Sequence, residues 1–179
     1  MSAAPVRPTA AFMARHPARW IALGFGSGLA PRAPGTIGTL WAWAVFAVIA
    51  PWMSDAAWAW LIGGGTLVGW WACTVTARHM NTPDPGAVVW DEVVAFWLIL
   101  WLVSPVGFVG QAVAFGLFRF FDAVKPGPVG WADRRFKADR DADGAWRIGW
   151  AQGFGILFDD FVAAGCTLVV IALYRFLMG

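Results

Sequence analysis

Five stretches of the chain are predominantly apolar: residues 36–53, 56–77, 87–103, 106–124 and 155–178. Residues 37–54, 56–77 and 93–118 carry no Asp, Glu, Lys or Arg at all. Crossing the roughly 30 Å hydrocarbon layer takes about 20 apolar residues, so these runs predict helices that cross a membrane. Turn formers punctuate the pattern. Pro34-Gly35 precedes the first run, with Thr36 as a plausible N-cap. Ser104-Pro105-Val106-Gly107 divides the long uncharged run, and Pro126 stops the fourth segment, because a residue before proline is pushed out of the helical region. A single tilted helix over 93–118, about 39 Å long, is the rival to a hairpin turning at Ser104-Pro105. It would place Asp91–Glu92 and Asp122 at opposite membrane faces. The hairpin is the expectation. The predicted fold is all-α, a polytopic membrane bundle of about five apolar helices, some short. One domain spans 1–179, with a polar arm at 1–19 and a connector at 126–152.

Composition sharpens this picture. Hydrophobic residues make up 59% and charged residues 13%, where a soluble domain carries about 25% charged. The mean hydropathy is +0.61. Many of the 14 tryptophans lie near the ends of the apolar runs, where indoles favour the headgroup layer, though some must pack between helices. A net charge of +2 gives no footprint for nucleic acid. Twelve of the 13 lysines and arginines fall on one side of a five-pass topology, all but Arg175. The positive-inside rule makes that side cytoplasmic, the N-terminus included. Met1 to Trp20 lacks the apolar core and small-residue site of a cleavable signal peptide. Cys73 and Cys166 sit in apolar runs without metal or redox spacing.

The candidate chemistry is acidic. Only 11 residues are Asp or Glu, and ionisable groups set in apolar helices are functional candidates by default. Asp91–Glu92 and Asp159–Asp160 each interrupt a hydrophobic run. Converging pairs would repel strongly without a cation, and hard oxygen donors with no Cys or His cluster suit Mg²⁺. The structural alternative, acids offsetting helix N-terminal dipoles, accounts for one pair better than for two pairs plus Asp122. Arg119, Asp122 and Lys125 recur along one helical stripe. With Trp131-Ala132-Asp133-Arg134-Arg135 nearby, that stripe reads as an anion-binding edge. The glycine-rich Gly24–Leu29 stretch, leading to Pro34-Gly35-Thr36, offers backbone N–H groups for a phosphate or simply close helix packing. Asp139, Asp141, Asp143 and Gly144 begin like an EF-hand loop, but Trp150 replaces the closing Glu, so a solvated acidic loop is expected. His16 and His79 lie in polar connectors, and no Cys-x5-Arg or aspartyl-phosphate loop is present. Metal held by carboxylates, polarising a phosphate and activating water, is what remains. A transporter of ions or protons using intramembrane acids is the alternative from another class, but no internal repeat accompanies the acids.

These motifs together resemble the bacterial phosphatidylglycerophosphatase A family. The likeness runs from Gly24 to Gly165. It rests on Gly24-Phe-Gly-Ser-Gly-Leu29 through Pro34-Gly-Thr-Ile-Gly-Thr-Leu40, Val89-Trp-Asp-Glu92, Arg119-Phe-Phe-Asp122 with Lys125-Pro126, and Gly155-Ile-Leu-Phe-Asp-Asp160 with Ala164-Gly165. The resemblance implies an all-helical, Mg²⁺-dependent lipid phosphatase of the bacterial inner membrane. Its substrate would be phosphatidylglycerophosphate, drawn from surrounding membrane lipids on the cytoplasmic face and converted to phosphatidylglycerol. Asp91, Glu92, Asp122, Asp159 and Asp160 would be the metal-binding and catalytic acids. Arg119 and Lys125 would hold the phosphate, with Thr36 a further candidate. The chain departs from the family in Lys125-Pro126-Gly127-Pro128, where Lys-Pro-Trp-Pro is common, and in a longer connector from Arg135 to Gln152.

Overall fold

A helix buried all round needs a sequence apolar all round, and after Asp91 and Glu92 in its first turn Trp90–Val103 meets that condition from Val93 onward. Eleven of its 14 residues are buried, from Trp90 through Val103. In the computed structural model, which describes residues 4–138, 140 and 146–178, this helix is the axis around which the others pack. In chain order the helices are α1 (Ala10–Ala14), α2 (Pro17–Ala22), α3 (Pro34–Ile49), α4 (Asp55–Met80), α5 (Trp90–Val103), α6 (Phe108–Val124), α7 (Pro128–Arg135) and α8 (Trp150–Met178). Short 3₁₀ turns occupy Gly24–Leu29 and Ala50–Trp52. α3, α4, α6 and α8 all contact α5.

Each predicted apolar segment is a helix, and the break at Ser104-Pro105 is real: α5 ends at Val103 and α6 starts at Phe108. Two helical stretches, Pro34–Trp52 and Trp150–Met178, are long and apolar enough to cross a membrane. α5 and α6, with 14 and 17 residues, rise only about 21 and 26 Å. Among the described residues the fold is all-helical apart from an isolated bridge, and the count of clear candidate spans is two rather than five.

The ends of the helices pair in two groups. At one end, the Trp101 indole donates to Asp55 at the start of α4 (2.9 Å), and Arg175 of α8 donates to the Val103 carbonyl (2.9 Å). At the other lie the starts of α3 and α5 and the end of α6, where Glu92 and Arg119 meet. The hairpin therefore returns Asp122 to the end of the bundle that holds Asp91 and Glu92.

Small residues set the spacing. Gly35, Gly38, Thr39, Ala42 and Phe46 form the buried face of α3, and a side chain at Gly38 would strike Val89 at 2.7 Å. A side chain at Gly153 would overlap Thr74, which lets α8 close on α4. The tryptophans divide by role. Trp90 and Trp97 are buried and donate to the carbonyls of Gly65 (2.8 Å) and Ala42 (2.9 Å), whereas Trp52 and Trp60 are exposed.

Two expectations about the connecting segments change. The polar arm is helical from Ala10 onward, since Thr9 caps α1, His16 caps α2, and Met13 and Ala18 are buried. The connector contains α7, opened by Pro128 at its first turn, with Val129 and Ala132 buried. His16 lies in the short link between α1 and α2, as expected, whereas His79 is in the last turn of α4, with its ring 5.2 Å from that of His16.

Candidate active site

Asp91 and Glu92 enter the fold as the second and third residues of α5. The segment before them is clamped from both sides. The Val89 amide donates to the Ala22 carbonyl (2.9 Å), and a side chain at Gly28 would collide with the Ala87 carbonyl. Gly24, with φ +53, packs on Val89. Close packing thus accounts for the glycine-rich turn, which sets where α5 begins.

Asp160 arrives from α8, as its eleventh residue. Its place decides between the two readings of the acids. A carboxylate in the first turn of α5 can offset the helix dipole, but one three turns inside α8 cannot. Asp91, Glu92 and Asp160 are all buried, and one potential ligand oxygen from each lies within 4.8 Å of those of the other two. One oxygen on each, Asp91 Oδ1, Glu92 Oε2 and Asp160 Oδ2, has no hydrogen-bond partner. Orphaned buried carboxylate oxygens are costly, and three clustered carboxylates that each carry one fit a divalent cation of the hard, oxygen-seeking kind.

Around this trio stand the other predicted residues. Asp122, in the last turn of α6, pairs with Arg119 (2.7 Å). The same Arg119 nitrogen lies 3.5 Å from Glu92 Oε1 and 3.4 Å from the Thr39 hydroxyl, which itself donates to the Gly35 carbonyl (2.8 Å). A side chain at Gly35 would collide with Glu92 and come within 3.2 Å of Arg119. Arg119 is thereby fixed by three elements, α3, α5 and its own helix.

Asp159 and Lys125 stand apart from the trio. Adjacent helical residues point about 100° apart, so Asp159 faces away from the partners of Asp160. Its carboxylate meets Lys125 (2.5 Å), and Lys125 also holds Asp133 (2.7 Å). Lys137 adds a second cation to Asp133 (3.0 Å). Burial alone would lower the pKa of the Lys125 ammonium, but its bonds to Asp133 and Asp159 outweigh that and hold it above the usual lysine range. Burial pulls Asp133 upward, and the two lysines more than compensate, holding it below the carboxylate range.

The five predicted acids therefore divide. Asp91, Glu92 and Asp160 share one cluster, Asp122 borders it through Arg119, and Asp159 belongs to a neighbouring ion-pair network. On α3 the residue that touches Arg119 is Thr39 rather than Thr36, which is half-buried one turn earlier and is not the N-cap; Ala33 is. Asp84, in the loop before α5, was not flagged by sequence pattern. The EF-hand-like positions Asp139, Asp141, Asp143 and Gly144 lie outside the described residues. Cys73 and Cys166 are free thiols.

A family model described as Phosphatidylglycerophosphatase A matches residues 20–175. The chain is 33% identical over 151 residues to Phosphatidylglycerophosphatase A of Escherichia coli (strain K12), covering 83% of this chain and 77% of that protein. It is 30% identical over 163 residues to Phosphatidylglycerophosphatase A of Haemophilus influenzae (strain Rd), covering 91% of each. No solved structure matches.

Proposed function

Since the chain belongs to the phosphatidylglycerophosphatase A family, we propose that the cluster at the start of α5 is where it hydrolyses the terminal phosphate of phosphatidylglycerophosphate. The protein is a phosphoric monoester hydrolase of phospholipid biosynthesis; its products are phosphatidylglycerol and phosphate. One observation carries the assignment of the site: three buried carboxylates from α5 and α8, each with an unpartnered oxygen, face one another beside an arginine.

Asp91, Glu92 and Asp160 would hold Mg²⁺, the hard cation that an all-carboxylate donor set suits. When bound, the ion would lower the pKa of water and offset phosphate charge. Arg119 holds Asp122 and Glu92 with one terminal nitrogen, which leaves other N–H donors of its fork for the equatorial phosphate oxygens. Asp122 uses Oδ2 for Arg119, so its second oxygen is the candidate to accept a proton from the attacking water. Water supplies the new oxygen on phosphorus, the P–O bond to the glycerol breaks, and the glycerol oxygen leaves with a proton. Lys125 and Asp159 border this reaction and position one another.

The outer faces of α3, α4, α6 and α8 present exposed apolar side chains, among them Val48, Leu67, Val109 and Val169. That supports contact with lipid. We infer a multi-pass placement in the bacterial inner membrane, with the basic segments and the acidic cluster on the cytoplasmic side. The short α5 and α6 then form a hairpin within the bundle. A transporter is disfavoured, because its acids would belong near the midplane of repeated halves. The test is phosphate release by the purified protein in detergent micelles, from phosphatidylglycerophosphate and from competing lipid phosphomonoesters. Preference for phosphatidylglycerophosphate is expected; failure to release its phosphate would refute the assignment.

A further inference from the structure

Beside the carboxylate cluster lies a cavity of about 250 Å³ that the hydrolytic step leaves unused. Asp159 stands in its wall and Asp160, the next residue of α8, belongs to the cluster, so α8 borders both on adjacent faces. Asp84, Asp133 and Lys137 supply the rest of its charged lining, and Phe136, Trp146 and Ile156 line it with apolar surface.

The charges here are already matched, with one exception. Lys125 and Lys137 hold Asp133, and Lys125 holds Asp159. Asp84 has no ion pair or hydrogen bond among the described residues. It is exposed along its loop, yet the surrounding protein desolvates its carboxyl and pushes its pKa up, against the pull of Lys125. Three carboxylates against two lysines leave the space net negative, with both cations already engaged, so a phosphate dianion is disfavoured there. Carboxylate acceptors beside apolar side chains suit a small neutral group that donates hydrogen bonds.

Building on the assignment of the substrate above, we propose that this cavity is the subsite for the glycerol that separates the two phosphates of the lipid headgroup. Asp84 accepts the hydrogen bond of that glycerol's free hydroxyl, and Phe136 and Trp146 cover its carbon chain. With the terminal phosphate at the carboxylate cluster, the attached glycerol would reach this subsite around α8, where Asp160 belongs to the cluster and Asp159 to the cavity wall. The subsite gives the enzyme a means of telling its substrate from a lipid whose phosphomonoester carries no such hydroxyl.

The test compares phosphatidylglycerophosphate with its analogue in which the headgroup hydroxyl is replaced by hydrogen, using full-length protein in micelles. In the unaltered protein, kcat/KM for the hydroxylated lipid should exceed that for the deoxy analogue by roughly 10- to 100-fold, the scale of a hydrogen bond to a charged acceptor. Asp84→Ala should bring that ratio towards one, and Asp84→Asn, which keeps an acceptor oxygen, should restore part of it. Equal rates on the two lipids in the unaltered protein would overturn the proposal, as would an Asp84→Ala protein that keeps the full ratio. No phosphate release from either lipid would instead remove the substrate assignment itself, and the subsite with it.

Discussion

Arg119 and Glu92 lie 27 positions apart in sequence, yet the guanidinium sits 3.5 Å from the carboxylate. The turn between Val103 and Phe108 makes this possible, folding α6 back along α5. An uninterrupted helix over 93–118 would have separated the two by about 39 Å. The contact also places Asp122, paired with the same nitrogen, at the edge of the buried acid cluster.

Replacing Arg119 should therefore cost more than a surface cation would. Arg119→Ala leaves Glu92 and Asp122 without their shared partner and removes the donor fork proposed for the phosphate. A loss of roughly 10²–10³ in kcat is expected, with Arg119→Lys recovering only a part, since a point charge does not reproduce the fork. Steady-state phosphate release checks this; a change within threefold for Arg119→Ala would rule out the role.

Gly35 offers a separate check on the same geometry. An added Cβ collides with Glu92 and crowds Arg119. Gly35→Ala should lower stability by about 1–3 kcal/mol through overpacking and reduce activity more than Gly116→Ala, where an added Cβ meets open space. Thermal unfolding in detergent and phosphate release measure both. Equal behaviour of the two variants would contradict the close approach of α3 to the acids.

The acid cluster should trade stability for function. Like charges from α5 and α8 oppose one another when no cation is present, so removing one relieves the apoprotein. Asp160→Asn should raise the thermal midpoint in EDTA by roughly 2–8 °C, the scale of 1–2 kcal/mol for a chain of this size. The same substitution should abolish the stabilisation that Mg²⁺ gives the unaltered protein. A midpoint that falls in EDTA would mean that Asp160 is a structural residue.

The sequence carried the helices well where they were long. The five apolar runs set α3, α4, α5, α6 and α8 to within a few residues, apart from the start of α8, because burial against neighbours or lipid imposes continuous apolarity over many turns. α1, α2 and α7 have 5, 6 and 8 residues, too few for a period to emerge, although Pro17 and Pro128 at their starts were local signals. The acids were legible as expensive residues in an oily chain. Their grouping was not, because it depends on helix rotation: one step along α8 sends Asp160 to Glu92 and Asp159 to Lys125. Thr39 was missed in favour of Thr36 for the same reason, since only the contact with α6 distinguishes faces of α3. Asp84 carries no motif, and its significance comes from the cavity it lines.

The inferred orientation can be read in cells. In a chain with Cys73 and Cys166 replaced by Ala, a cysteine at Ser104 should react with a membrane-impermeant thiol reagent from outside. One at Lys137 should react only after the membrane is opened. The reverse pattern would place the acid cluster on the wrong face for a cytoplasmic substrate.

The central claim is that Asp91, Glu92 and Asp160 together hold the cation that phosphate hydrolysis requires. The most direct measurement is phosphate release from phosphatidylglycerophosphate by EDTA-stripped protein as Mg²⁺ is added back, for the unaltered chain and for Asp160→Asn. The unaltered chain should be silent in EDTA and regain saturable activity with Mg²⁺, while Asp160→Asn should stay at least 10²-fold lower at any Mg²⁺ concentration. Activity that survives EDTA, or an Asp160→Asn protein that matches the unaltered one at saturating Mg²⁺, would contradict it.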